Sequence, residues 1–533
     1  MISRMNMGRS VLYGVIAIFI GVFAYQLVVT DLFIPHSLQN LQRILIAALT
    51  PRFDSVTLGN MLTGYQNTLI YSLAGFFAGI AVGLLLSYFS TRFRRSKIIG
   101  TAVAVVFRST HEVVFMYLLV LIFGLNPYIA IMAIGISFGG IQSKVFTDNM
   151  NLTGDTAFYA YKNRGYKYRD NFFFNLFPNS FNSNLNYVTY RYECAIRSAV
   201  VLSYIGLPGI GLHIHHALTD ADYNALFVYI YSLIIFIFLF SLLTSWALEK
   251  IQYRIGKFMK WFIPASLVLT GIFIATHFQE FLGLFQMRNW LGIVRSGEAI
   301  VNVLNPFNQD FFNSDNLSRF WSATIDTVIL GVLATVFLVV LFTILLMHYF
   351  YGFARDSKIH LAINNAVSVI NRSVPEMVFM VLLLFIMRPN IVTGALALAL
   401  HNFGILTKLI KDRVVGNYKK TFTAYKNRGY KSVSIFFFLF LPLMGKDLVN
   451  LLTYRFEMMI KASAVIGILG GGGLGLLLRL EMSRFNFEAI YFIVILYVIL
   501  FLIIDRINAV ISREYLESGD FINPASCRSI PEQ

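Results

Sequence analysis

One octapeptide occurs twice in this chain. Ala160-Tyr-Lys-Asn-Arg-Gly-Tyr-Lys167 returns letter for letter as Ala424–Lys431, an offset of 424 − 160 = 264. The same offset pairs Tyr190-Arg-Tyr-Glu193 with Tyr454-Arg-Phe-Glu457, Arg108 with Arg372, Glu112 with Glu376, Phe115-Met116 with Phe379-Met380, Lys144 with Lys408 and Pro178 with Pro442. The register holds from about 108 to 211 without a gap. A repeat this long makes the chain two copies of one unit, and any fold assigned to it must be built twice. The halves divide at roughly 1–255 and 256–533, with the basic stretch Glu249–Lys260 as the join.

What the unit is follows from composition. Hydrophobic residues make up 57% of the chain and charged residues 13%, against about 25% charged in ordinary soluble proteins. A globule this apolar has too little polar sequence to cover its surface. The chain is therefore an all-α polytopic membrane protein, and a soluble enzyme or a disordered binder is excluded. A helix needs about 20 apolar residues to cross the hydrocarbon core. That rule gives spans near 11–29, 66–90, 100–123, 127–143, 197–214 and 226–247, then near 261–277, 323–350, 364–387, 391–408, 461–478 and 488–507. The total is about twelve transmembrane helices, six in each half.

The net charge of +16 is not a nucleic-acid signal, because Lys and Arg fall in short clusters between apolar runs. The clusters are Arg4/Arg9, Arg92–Lys97, Lys162–Arg169, Lys250–Lys260, Arg355/Lys358 and Lys411–Arg428, whereas 30–65 and 278–322 carry acids and bases nearly in balance. By the positive-inside rule both termini are cytoplasmic and those two long loops lie outside. The repeated loops fall on one side, so the repeats are parallel and suit a pathway formed between halves. Two distant cysteines, Cys194 and Cys527, make neither a disulfide framework nor a cysteine metal site.

From Gly165 to Pro178 is 13 residues, as from Gly429 to Pro442, and an Ala (Ala160, Ala424) stands five positions before each Gly. This spacing resembles the EAA loop of ABC-importer permeases, whose pattern is Glu-Ala-Ala, three residues, Gly, nine residues, Ile-x-Leu-Pro. The chain departs from it at Tyr159 and Thr423, where the family has Glu, and at Tyr161 and Tyr425, where it has the second Ala. A short helix, a Gly turn and a second segment ended by Pro would make a compact knob near 155–180 and 419–444. The competing reading is a basic, Phe-rich loop lying on anionic lipid through Lys162, Arg164 and Lys167.

The segments that follow, Tyr190–Gly211 and Tyr454–Gly475, resemble the permease of phosphonate ABC transporters, in which a Tyr-Arg-x-Glu helix runs into a Gly-rich turn. Arg372-Ser-Val-Pro-Glu376 is similar to that family's Arg-Thr-Val-Pro-Glu, while Arg108-Ser-Thr-His-Glu112 has His111 in place of Pro. The resemblance implies a tandem duplication of a type I ABC-importer permease unit. It implies two ATP-binding ABC subunits, which would hold ATP and Mg, and an extracytoplasmic substrate-binding protein. Membrane lipid is the surrounding partner, the chain itself carries no cofactor, and nucleic acid is not a partner. The setting would be a bacterial cytoplasmic membrane and the cargo a phosphonate or related phosphorus oxyanion. Thiamine-related permeases share much of the pattern, so thiamine, thiamine phosphate or another small solute is the alternative. An ion-coupled secondary transporter is a second alternative and would need unpaired acids at mid-membrane.

Gate or pathway candidates are the charges Arg108, Glu112, Glu193, Arg197, Arg372, Glu376, Glu457 and Lys461, with the glycines Gly209, Gly211, Gly473 and Gly475. The charges fall at i,i+4 as Arg108/Glu112, Arg372/Glu376, Glu193/Arg197 and Glu457/Lys461, the last two at the cytoplasmic start of a helix. A lone charge in a membrane helix costs about 2.5–3.5 kcal/mol on insertion scales, and a neighbour of opposite sign offsets it. Each pair is thus either an anion-attracting lining or a neutral lock between helices. The glycine turns lack the Lys-Ser/Thr of a phosphate loop and would instead admit close helix approach. His213, His215 and His216 mark a polar helix end rather than a metal site. No nucleophile–base set and no ATP-binding motif stands out, so the expectation is a transport component with no catalytic residue.

Overall fold

The computed structural model describes residues 32–91, 94–152, 163–251, 278–305, 311–354, 357–417, 424–430, 432–435 and 441–517, with 271, 275 and 308 besides. Sixteen longer helices carry the described fold. The first eight are α1 (Ser37–Leu49), α2 (Ser55–Thr91), α3 (Arg94–Ser109), α4 (Glu112–Phe123), α5 (Pro127–Leu152), α6 (Phe177–Tyr204), α7 (Ile210–Thr219) and α8 (Tyr223–Ile251). The next eight repeat them as α9 (Met287–Leu304), α10 (Ser314–Ala354), α11 (Lys358–Ser373), α12 (Glu376–Leu384), α13 (Ile391–Asn417), α14 (Leu441–Ile466), α15 (Gly473–Ser483) and α16 (Phe487–Glu517). The starts of α3 and α11, α4 and α12, α5 and α13, α6 and α14, and α8 and α16 each differ by 264, as in 358 − 94. The duplication seen in the letters is a duplication of the backbone, and its register reaches beyond the matching letters to Arg94 and Tyr223.

Among the described residues, six helices are long and apolar enough to cross a membrane, or nine if each sharply bent pair counts as one span. The expected span 11–29, and all but two residues of 261–277, lie outside the described residues. Four expected spans are not straight helices. Those at 100–123 and 364–387 each break after one helix and resume at about a right angle, 96° between α3 and α4 and 91° between α11 and α12. The cause is local. His111 and Pro375 hold extended backbone (ψ 147 and 150) just before α4 and α12. Pro375 also pushes the preceding residue out of helical conformation, and Val374 sits at ψ 121. In the first half His111 acts as a cap instead, its Nδ1 accepting from the Val113 amide at 3.3 Å. The expected spans at 197–214 and 461–478 break as well, at the glycine turns after α6 and α14, and the second of these bends by 62°.

Packing follows residue size. Gly75, Gly79 and Gly83 form a stripe on α2 that lies on α5 near Ile134, Phe138 and Gln142, and Gly135 and Gly139 answer from α5 against Ala78 and Val82. With lipid as apolar as the helices, close backbone approach and dispersion supply the attraction. The halves interlock reciprocally: α8 of the first packs on α11 of the second, and α16 of the second packs on α3 of the first. One continuous core joins Val113, Ile129 and Val200 with Met377, Val465 and Leu474 across the join.

Candidate functional site

A cavity of about 120 Å³ opens where α4, α5 and α6 meet α12, α13 and α14. Seven of its lining pairs are related by 264: Glu112/Glu376, Phe138/Asn402, Ile141/Ile405, Arg191/Arg455, Cys194/Met458, Arg197/Lys461 and Ser198/Ala462. The cavity therefore sits on the axis that relates the halves. His111, His401 and Tyr454 add to its polar wall without lining counterparts, the equivalent positions holding Pro375, Ser137 and Tyr190. Four cations (Arg191, Arg197, Arg455, Lys461) face two carboxylates (Glu112, Glu376), an excess of 4 − 2 = 2 positive charges before the histidines are counted.

The charges reach across the join. Lys461 Nζ donates to Ser137 Oγ at 3.1 Å, and Ser137 Oγ lies 3.4 Å from Glu112 Oε2. On the other side Arg197 Nη1 lies 3.5 Å from His401 Nε2 and donates to the Arg372 carbonyl oxygen at 3.1 Å, and His401 Nε2 is 3.6 Å from Glu376 Oε2. Ser137 and His401 differ by 264, so the two chains of contacts are one design run twice: a cation of one half, a polar side chain of the other, then that half's carboxylate. The Ser198 hydroxyl also bonds Glu112, and His401 Nδ1 lies 2.7 Å from the Val374 carbonyl oxygen.

This geometry revises the expected charge pairs. The backbone breaks after Ser109 and Ser373, so Arg108/Glu112 and Arg372/Glu376 do not share a helix face. Arg108 instead pairs with Asp505 of the second half at 2.9 Å. Glu193 and Arg197 do lie one turn apart at 4.0 Å, but well inside α6 rather than at its start. Glu457 accepts from Asn508 Nδ2 at 3.2 Å while Lys461 turns to Ser137, so that pair is divided between two partners. Of the expected charges, Glu112, Arg197, Glu376 and Lys461 line the cavity. Arg191, Arg455, His111 and His401 line it too and were not among the expected residues. Arg191 and Arg455 stand in the repeated Tyr-Arg-x-Glu tetrapeptide, where the acid attracts attention first; His401 has no sequence signal.

The four glycines form a separate locus. Ile210 N donates to Thr68 Oγ1 at 3.1 Å and Leu474 N to Thr327 Oγ1 at 2.8 Å, tying each glycine turn to α2 or α10. A methyl on Gly209 would meet Ser203, on Gly211 the Val200 carbonyl oxygen, on Gly473 Thr327 and on Gly475 the Ala464 carbonyl oxygen.

The loop glycines are a third locus. Gly165 and Gly429 are exposed and left-handed (φ 78 and 84), with nothing within 4 Å of a would-be Cβ. Ala424, itself exposed, opens a half-buried helical turn before Gly429, and Ala160 lies outside the described residues. Pro178 and Pro442 do not end a segment, as expected, but stand in the first turn of α6 and α14. Before Pro178 the π-helical turn Phe172–Leu176 leads into α6 without a stop, so the chain is already helical where this proline stands.

Residues 75–257 and 349–516 match the family described as binding-protein-dependent transport system inner membrane component, once in each half. The chain belongs to that family. It is a multi-pass membrane permease component of an ABC importer and a tandem duplication of one permease unit. Over 500 residues it is 25% identical to the phosphate-import permease protein PhnE of Mycolicibacterium smegmatis, covering 89% of this chain and 90% of that one. It is 23% identical over 144 residues to the phosphite transport system permease protein PtxC of Stutzerimonas stutzeri, covering 27% and 52%. Among solved structures, a chain of the MetNI methionine ABC transporter aligns at 17% identity and a TM-score of 0.35, covering 38% of this chain and 99% of that one.

Proposed function

We propose that this permease carries a phosphorus oxyanion, a phosphonate or a related phosphate or phosphite, through the cavity between its halves. The observation that carries this is the wall itself, with four cations against two carboxylates at the centre of a membrane protein. An excess of cations there is costly and is relieved by an anionic cargo. The transport of phosphate and phosphite named for the two relatives agrees with it.

In this account the halves, 1–255 and 256–533, supply both sides of the pathway. The loops near 155–180 and 419–444, turned by Gly165 and Gly429, seat two ATP-binding subunits on the cytoplasmic side. ATP and Mg are held there, and a binding protein delivers cargo from the opposite face. Both termini are cytoplasmic and the membrane is a bacterial cytoplasmic membrane. Glycine turns at Gly209–Gly211 and Gly473–Gly475 let the helices beside the cavity stay close as the halves rock. A cationic cargo such as thiamine fits the wall poorly. An ion-coupled carrier fits poorly too, because Glu112 is held by Ser198 and Glu376 faces His401.

The test is uptake by proteoliposomes holding this chain with its ATPase and binding protein. ATP-dependent accumulation of methylphosphonate, phosphite or phosphate, with none of thiamine, is the expected result. Accumulation of thiamine alone, or oxyanion uptake driven by an ion gradient without ATP, would reject the proposal.

A further inference from the structure

The two arginines at the repeated Tyr-Arg-x-Glu position are buried alike but engaged differently. Arg191 is 8% exposed, and its Nε donates to the Tyr187 hydroxyl at 2.9 Å. Arg455 is 6% exposed, and its Nε has no hydrogen-bond partner. The position equivalent to Tyr187 is 187 + 264 = 451, a leucine, which offers no acceptor. Among the described residues no carboxylate lies within ion-pair distance of Arg455. Its neighbour is the face of the Tyr454 ring, 5.3 Å from the guanidinium carbon. A buried guanidinium without an acceptor is destabilising, because the hydration it has lost is not replaced. The other cations on the wall already have anchors, Lys461 at Ser137 and Arg197 at the Arg372 carbonyl and His401.

We infer that Arg455 is the principal ligand of an oxyanion-binding site inside the cavity, so that the second half, not both halves equally, holds the cargo in transit. The inference rests on the oxyanion reading above and adds the residue that does the holding. A guanidinium offers parallel N–H donors that match two oxygens of a phosphoryl or phosphonyl group, which an ammonium cannot do. Arg197 and Lys461 add field without giving up their cross-half contacts. Arg191, with Nε committed to Tyr187, is the lesser ligand. A phospholipid headgroup presents the same phosphoryl oxygens, so the source of the anion has to be tested as well.

The experiment measures binding of methylphosphonate, phosphite and phosphate to the purified full chain in phosphate-free maltoside micelles, by phosphorus NMR line broadening. Variants are compared only when their elution and thermal unfolding match wild type. Arg455→Gln should weaken binding about tenfold to a hundredfold, the range for losing charge-assisted hydrogen bonds. Arg455→Lys should fall between it and wild type, and Arg191→Gln should lose less than Arg455→Gln. Tyr187→Phe, which releases Arg191, should restore part of the affinity lost in Arg455→Gln. Equal losses at both arginines, or unchanged binding in Arg455→Gln, would overturn the assignment. So would anion binding that appears only when phospholipid is added. If the complete importer accumulates oxyanion while the wild-type chain binds none, the Arg455 site is wrong and the functional reading survives. If the importer accumulates no phosphorus oxyanion, the functional reading itself fails, and this site with it.

Discussion

Arg197 and Lys461 occupy one repeat position, and each reaches into the other half rather than along its own helix. Their presence on the wall is legible in the sequence, because a charge inside an apolar run needs a reason. Their partners are not legible, since Ser137 and His401 lie far away in the chain and come close only when the halves meet. Glycine shows the same division. Gly165 and Gly211 look alike as letters, but a methyl at Gly165 meets nothing within 4 Å whereas one at Gly211 overlaps the Val200 carbonyl oxygen. Gly165→Ala should therefore cost only the left-handed strain, about 1–2 kcal/mol. Gly211→Ala should cost more, because backbone rather than a side-chain tip must move. Thermal unfolding of both variants in micelles checks this, and a smaller loss for Gly211→Ala would contradict the packing described.

The correspondence of helices between the halves is the most legible feature of the elements, since α3–α6 and α8 each recur at the repeat offset in α11–α14 and α16. Helix breaks are the least. A run of 24 residues such as 100–123 reads as one span, because the polar Arg108-Ser-Thr-His-Glu112 at its centre is outweighed by the apolar residues around it, although that is where the chain turns. In the second half Pro375 is a visible breaker, and it stands between the polar Asn371-Arg-Ser373 and Glu376. The loop turns can be read from their Gly and Pro spacing, although the prolines open helices rather than close them. Because Gly165 and Gly429 hold φ near +80 and proline is confined near −65°, Gly165→Pro or Gly429→Pro cannot keep the turn. Both variants should insert in the membrane, yet lose co-purification with the ATPase and substrate-stimulated ATP hydrolysis. Wild-type values of both in either variant would show that these turns do not couple.

At the scale of the whole molecule, duplication explains why one chain can enclose a cavity on an axis of symmetry. The repeat makes two halves legible from the sequence. The manner of their joining is not legible, since the exchange in which α8 covers α11 and α16 covers α3 depends on contacts between segments more than 100 residues apart. Symmetry is also broken where chemistry requires it, with His401 against Ser137 and an open Arg455 against a satisfied Arg191. A chain that is both halves of the permease needs no second copy. Native mass spectrometry of the complex purified with its ATPase should find one 60.5 kDa chain bound to two ATPase subunits. Two copies of the chain in each complex would place the pathway between chains and contradict this reading.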